Sequence, residues 1–183
     1  MAFYYLAWRP HQEIGNYATA LIAELKDRFG HVGISRKAVG PHITLIPPFQ
    51  TEHFEALKEV VKVTIAGMKP LQVRVNGFDC FNRRNKVIFL SIEAPPEMLQ
   101  LRNALAKELN AKISGLQKPF LQEKTLTWHL TVAYREINDK FAAIWDYLQE
   151  KEKPILKESM DSLSIVGEGK ITDFLFKEPV EHL

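Results

Sequence analysis

The spacing of apolar residues along the chain alternates between periods of two and of three to four, which separates predicted strands from predicted helices. The first run, residues 3–8, is almost wholly apolar and ends before Pro10, as expected of a buried strand. The next stripe recurs every three or four positions from Ile14 to Phe29 and stops at Gly30, which predicts an amphipathic helix. The same rules predict strands over 42–46, 71–76, 87–92 and 129–134, helices over 54–65, 97–109 and 137–148, and a terminal hairpin over about 162–177.

The order of these elements repeats once along the chain. Each half runs strand, helix, strand, helix, strand, in repeat units of about 3–76 and 87–167, so we interpret 1–183 as one domain with an internal duplication. Two copies are too few for a solenoid, and paired units can instead dock about a pseudo-two-fold axis. We therefore expect an α+β protein with two pseudo-symmetric lobes and a cleft between them, where the second strands of both halves meet.

Composition restricts the class of protein. With 46% hydrophobic and 25% charged residues, the chain has enough apolar material for a packed core. The formal net charge of +2 argues against a general polyanion binder, so any phosphate must be recognised at a local site. A single cysteine, Cys80, excludes an intramolecular disulfide and fits a reducing compartment. The sequence shows no basic leader and no apolar run near the roughly 20 residues of a membrane span, so we expect a cytoplasmic monomer without a membrane partner.

The same four-residue motif occurs in the second strand of each half. It reads His42-Ile43-Thr44-Leu45 in the first copy and His129-Leu130-Thr131-Val132 in the second. Alternate side chains of a strand share a face, so each copy places an imidazole and a hydroxyl together, with two apolar side chains on the opposite face. One such motif could be accidental, but two matched copies at equivalent places of a duplication indicate a shared site.

Two histidines suit proton transfer in both directions at neutral pH, because the unperturbed imidazole pKa lies near 6.5. One neutral ring takes a proton from an attacking oxygen, and the other, protonated, gives one to the leaving oxygen. Displacement at phosphorus needs these groups on opposite sides, roughly in line, with donors for the growing charge on the phosphate oxygens. We therefore predict that His42 and His129 are the catalytic pair and that Thr44 and Thr131 bind the substrate phosphate.

The paired motifs resemble those of the 2H phosphoesterase superfamily, which includes bacterial 2′-5′ RNA ligase-like proteins and cyclic phosphodiesterases. The resemblance extends over nearly the whole chain, and it implies that each lobe is an antiparallel sheet with helices packed outside. It also implies a metal-independent phosphodiesterase acting on 2′,3′-cyclic or 2′-5′ bonds of RNA ends or nucleotides, with His42 and His129 as catalytic residues. One position departs from the family pattern: many members have Pro before the second histidine, where this chain has Trp128.

Two other interpretations of the histidines compete with this one. Zinc sites use three or four close ligands in patterns such as His-Glu-x-x-His or Cys-x-x-Cys, and the sequence contains neither, so we predict no metal and no other cofactor. A non-catalytic nucleotide- or RNA-end-binding module on the same scaffold would use the same cleft, yet it has no need of two imidazoles. Turnover of a 2′,3′-cyclic nucleotide in the presence of chelator separates the enzyme from the binder.

Three further residues close to the motifs are candidate substrate contacts. Tyr134 and Arg135 directly follow the second motif, where Arg135 could hold a phosphate or simply be an exposed arginine at a strand end. Phe49 follows the first motif and could stack on a base, although packing in the core is the commoner role of such an aromatic side chain.

Overall fold

The computed structural model describes residues 2–34, 39–116 and 119–176, which form eight strands and four helices. The strand order is β2-β1-β7-β8 in the first sheet and β5-β4-β3-β6 in the second, and neighbouring strands are antiparallel throughout. The predicted α+β class with two antiparallel sheets is therefore confirmed. In chain order the elements are β1 (Ala2–Trp8), α1 (Glu13–Phe29), β2 (Ile43–Thr51), α2 (Phe54–Ile65), β3 (Leu71–Asn82), β4 (Lys86–Glu93), α3 (Pro96–Lys112), β5 (His129–Tyr134), α4 (Phe141–Gln149), β6 (Ile155–Met160), β7 (Ser162–Gly167) and β8 (Lys170–Leu175).

The two repeats do not correspond to the two lobes. Each repeat contributes one helix and one strand to the lobe that contains the motif of the other repeat. Strand β3 of the first repeat pairs with β4, and strand β7 of the second repeat pairs with β1. Helix α1 packs against β5 and β6, whereas α3 packs against β2 and α2. This reciprocal exchange joins the lobes into one unit, and the edge strands β2 and β5 come into contact.

Each motif strand buries one face and leaves the other open. Ile43 and Leu130 are fully buried, and the apolar residues two positions further along, Leu45 and Val132, are also buried. The histidine and threonine positions between them are only half-buried. The apolar faces of the sheets supply the core, so the polar faces remain available for a site.

Three strands differ from the sequence prediction, and one of them, β3, is predicted over 71–76 but continues to Asn82. Strand β2 does not end at Pro47 and Pro48 but continues through them to Thr51. A sheet edge tolerates this because the missing N–H groups need no partner there, and both proline side chains are exposed where the β1–β2 register shifts. Strand β6 carries Lys157 and Glu158 in place of alternating apolar residues, so the sequence pattern does not predict it.

A buried carboxylate on β6 holds the start of α1. Glu158 is 4% exposed, and its Oε1 accepts hydrogen bonds from the N–H groups of His11 and Gln12 at 2.7 and 2.9 Å. Its Oε2 accepts from Ile14 and Gly15 at 2.9 and 3.3 Å. The N–H groups at a helix N-terminus lack intrahelical partners and favour negative charge. The second sheet therefore anchors the helix that follows β1 of the first sheet.

The terminal hairpin of β7 and β8 lies where the sequence predicts it, although residue 177, at its predicted end, is outside the described residues. The two turn residues, Glu168 and Gly169, have φ of 51° and 69°. Two positive φ values are the type I′ geometry that matches the twist of paired strands. Across this hairpin Ser164 stands opposite Asp173, and its hydroxyl donates to Oδ1 of the carboxylate at 2.5 Å.

Candidate active site

The four motif residues lie where the two sheets meet. His42 immediately precedes β2, and His129 is the first residue of β5. Thr44 and Thr131 follow two positions later on the same faces, and all four side chains are half-buried. Because β2 and β5 are the edge strands in contact, the structure brings both motifs to one junction.

A mirrored hydrogen bond orients each imidazole. Nδ1 of His42 lies 2.9 Å from the carbonyl oxygen of Gly40, and Nδ1 of His129 lies 2.9 Å from the carbonyl oxygen of Thr127. A carbonyl only accepts, so each Nδ1 carries the hydrogen and donates it. In both neutral rings the lone pair is then on Nε2, which can accept a proton as a base or, once protonated, donate one as an acid.

Aromatic rings pack against both imidazoles but differ between the two sheets. The ring centroid of Tyr5 lies 5.4 Å from that of His42. The centroids of Phe81 and Phe89 lie 5.3 and 5.2 Å from that of His129. His42 therefore has a phenolic neighbour, whereas His129 rests against two apolar rings.

The surroundings of His42 lower its pKa. Burial is the largest cause, because the charged ring loses hydration, and the positive charges of Arg9 and His129 lower the pKa further. The hydrogen bond to the Gly40 carbonyl opposes the shift without cancelling it. The contribution of His129 requires the two imidazoles to lie within electrostatic reach of each other. The lowered pKa favours neutral His42 at neutral pH.

Two residues of this site, Tyr5 and Arg9, are not identified by the sequence motifs. Ala7 pairs with Thr44, so the residues two positions to either side of Ala7 share the face of the first motif. The Nε of Arg9 donates to the carbonyl oxygen of Val39 at 3.1 Å. Burial raises the pKa of Tyr5, and the nearby Arg9 charge opposes that rise. The sequence shows that positions 5, 7 and 9 share one face of a strand. That this face is also the face of the first motif follows only from the pairing of β1 with β2.

A bulge in β5 turns Tyr134 towards the site. Strict alternation would place this side chain on the opposite face from His129. The β4–β5 register shifts at Val132, which becomes an extra residue in the ladder, so Tyr134 pairs with Val87 and faces the same way as His129. After burial, the neighbouring Tyr134 is a further cause that raises the pKa of Tyr5, so residues of the two sheets interact here.

The other candidate contacts have different environments. Phe49 is 8% exposed and packs at 5.4 Å, between ring centroids, against Phe120, so it lacks the open face that the predicted base stacking needs. Arg135 is exposed, and its guanidinium lies 5.1 Å from the ring centroid of Tyr134. Its phosphate contact stays a prediction. Trp128, the departure from the family pattern, is half-buried and packs against the core.

The two-lobed α+β fold with paired His-x-Thr strands defines a class of phosphoesterase-like proteins, and the sequence comparison agrees. A family model described as the 2′-5′ RNA ligase superfamily matches residues 7–167. The chain belongs to the 2′-5′ RNA ligase superfamily, as the motifs suggested. No curated protein matches the sequence. The described residues contain neither a helix long and apolar enough to cross a membrane nor a group of three His, Cys, Asp or Glu side chains placed to hold a metal ion.

Two solved structures share the fold over almost the entire chain. TT0787 of Thermus thermophilus superposes with a TM-score of 0.65 at 15% identity and covers 100% of both chains. E. coli LigT, crystallised with NADP+, superposes with a TM-score of 0.52 at 13% identity and covers 96% of this chain and 95% of its own. These likenesses establish the fold, and the superfamily membership supports phosphoesterase activity in general.

Proposed function

We propose that this protein is a metal-independent phosphodiesterase that opens 2′,3′-cyclic or 2′-5′ phosphodiester bonds of nucleotides or RNA ends by two-histidine general acid/base catalysis. The observation that carries the proposal is the mirrored pair of imidazoles, in which each Nδ1 donates to a carbonyl and each Nε2 is left for proton transfer. The NADP+ complex of LigT, which has this fold, supports a nucleotide as the class of ligand.

The lowered pKa of His42 supports one assignment of the two proton transfers. His42 is the general base, because burial and the Arg9 charge favour its neutral form. Its Nε2 takes a proton from the attacking water while the water oxygen forms a bond to phosphorus. His129 is the general acid, and its Nε2 gives a proton to the ribose oxygen as the phosphorus–oxygen bond to the ribose breaks. The product is a phosphomonoester, and the two rings have exchanged protonation states.

Hydroxyl donors stabilise the charge that develops on the phosphate oxygens. Thr44 and Thr131 each lie on the same face as the neighbouring histidine, one from each sheet. Tyr5 and Tyr134 add phenolic hydroxyls from the two sheets, and burial, which raises the pKa of Tyr5, keeps that group protonated as a donor. Arg9 contributes positive charge beside His42, which suits an anionic substrate.

The test is hydrolysis of 2′,3′-cyclic nucleotides in the presence of chelator, with products resolved by chromatography. We expect turnover by the parent protein and a loss of roughly 100- to 10,000-fold in both His42→Ala and His129→Ala. The double variant should lose less than the sum of the two single losses in free energy, because the residues act together. His53→Ala is the matched control, since this histidine is exposed and contacts Ser114.

Two outcomes contradict the proposal in different ways. Nucleotide binding by a parent protein that turns nothing over would establish the non-catalytic binding module. An active parent whose His42→Ala or His129→Ala variant keeps the full rate would eliminate the two-histidine mechanism.

A further inference from the structure

A separate cavity of about 330 Å³ opens beside His42 on the polar face of the first sheet. Gly40, whose carbonyl holds the His42 ring, lines this cavity together with Pro41, so the cavity and the candidate active site share a wall. Arg9 lines it as well and lies within electrostatic reach of His42. The volume is near the lower end of small-molecule sites, roughly 300–1,000 Å³.

The far side of the cavity carries an oriented carboxylate, that of Asp173. Ser164, which is 1% exposed, donates its hydroxyl hydrogen to Oδ1, and Nη1 of Arg9 lies 3.5 Å from Oδ2. Despite these two partners the Asp173 side chain is 53% exposed, so part of the carboxylate faces the open cavity. A group held in one orientation but still accessible suits ligand recognition better than a freely solvated side chain does.

A second carboxylate, that of Asp161, adds negative charge to the wall of the cavity. Its Oδ1 is buried and makes no hydrogen bond within the described part of the chain, although Asp161 lines the cavity. With two carboxylates and the single guanidinium of Arg9, the cavity is poorly suited to a second phosphate. It suits an uncharged group that presents N–H donors beside an acceptor.

The distance across the sheet fits one nucleotide. In the order β2-β1-β7-β8, Asp173 lies three strands from the motif strand that follows His42. Adjacent strands are about 4.8 Å apart, which gives roughly 14 Å between these backbones. A nucleotide whose phosphate contacts His42 can extend over this span and place the hydrogen-bonding edge of its base at Asp173.

We propose that this cavity binds the base of the nucleoside that carries the reacting phosphate, and that Asp173 with Arg9 makes guanine the preferred base. The Watson–Crick edge of guanine presents two adjacent N–H donors to one carboxylate, beside the O6 acceptor that suits a guanidinium. Uracil presents one ring N–H between two carbonyl groups, whose lone pairs oppose a carboxylate. The inference rests on the proposed phosphodiesterase function and adds a base specificity to it.

The test compares kcat/KM for 2′,3′-cyclic GMP and 2′,3′-cyclic UMP. We expect the parent to favour guanine about tenfold, because one bidentate contact gives discrimination of this order. Asp173→Asn replaces a carboxylate oxygen with a donor and should lower kcat/KM for the guanine substrate far more than for the uracil substrate, which abolishes that ratio. Asp146→Asn, an exposed position on α4, is the matched control and should keep the ratio. No preference in the parent, or equal loss on both substrates in Asp173→Asn, would overturn the proposal.

Calorimetric binding of 3′-GMP and 3′-UMP separates failure of the subsite from failure of the proposed function. Tighter binding of 3′-GMP that depends on Asp173, in a protein that hydrolyses neither cyclic nucleotide, would support the subsite and refute the phosphodiesterase. Equal hydrolysis of both cyclic nucleotides would support the phosphodiesterase and refute the subsite. The preference for guanine over uracil is measured on the unsubstituted protein. It therefore tests the subsite even where Asp173→Asn folds poorly.

Discussion

Glu158 offers the sharpest test of how the two sheets are joined, because one carboxylate satisfies four backbone N–H groups from the other end of the chain. Glu158→Gln keeps the side-chain shape and converts one oxygen into an amide nitrogen that cannot accept. Each oxygen accepts two hydrogen bonds, so two N–H groups lose their partner whichever way the amide turns.

The expected change in the free energy of unfolding follows from the kind of hydrogen bond that Glu158→Gln removes. Hydrogen bonds to charged groups contribute about 1.5–3 kcal/mol each, so two of them amount to roughly 3–6 kcal/mol. Burying a neutral amide costs less than burying a carboxylate, which offsets part of this loss. We expect Glu158→Gln to lower the free energy of unfolding by about 3 kcal/mol, which leaves a domain of ordinary stability folded.

Urea unfolding followed by circular dichroism measures this difference. Glu152→Gln is the matched control, because Glu152 is exposed in the turn before β6 and should change stability by less than about 0.5 kcal/mol. The urea midpoint of Glu158→Gln should fall with an unchanged slope. Equal midpoints for the two variants would refute the idea that Glu158 anchors α1. The N–H of His11 bonds to Glu158, and His11 lines the cavity beside Arg9. Loss of this hydrogen bond should therefore also weaken nucleotide binding in the Glu158 variant.

Two further predictions concern the proposed chemistry. Thr44→Val and Thr131→Val keep the strand shape and remove a donor, so turnover of a cyclic phosphodiester should fall on the order of 100-fold with the fold intact; unchanged kinetics in both variants would remove the phosphate role. Burial, and then the Arg9 charge, lower the pKa of His42, so its NMR titration should lie below the ordinary value of about 6.5, and Arg9→Gln should raise it. The acidic limb of the rate profile should follow this pKa, and stability should fall as the pH drops through it, because folding favours the neutral ring. A His42 pKa that is the same in Arg9→Gln would show that the guanidinium does not act on the ring.

Features that depend on local spacing could be predicted from the sequence. Strand β5 begins at His129 and ends at Tyr134, as the apolar alternation predicts. The turn before Lys170 is also a local signal, and it lies between β7 and β8. The prediction that the two motifs meet at one junction required only that equivalent strands of a duplication lie together.

Features that depend on strand pairing could not be predicted. Tyr134 faces the site only because the ladder shifts at Val132, and a register is a property of two strands. Tyr5 and Arg9 share a face with the first motif only because β1 adjoins β2. The sequence left core packing and base stacking both open for Phe49, and this side chain is buried because β2 continues past the prolines.

The exchange of strands between the repeats explains why two equal motifs have unequal surroundings. The face around His42 combines β1 and β2 of the first repeat with β7 and β8, which carry Ser164 and Asp173. The wall behind His129 includes Phe81, which lies on β3 of the first repeat. Each motif therefore borders strands from the other repeat, and those strands carry different side chains. These unequal surroundings distinguish the two imidazoles, and in the proposed mechanism His42, whose ring lies within reach of the Arg9 charge, is the base and its equivalent is the acid.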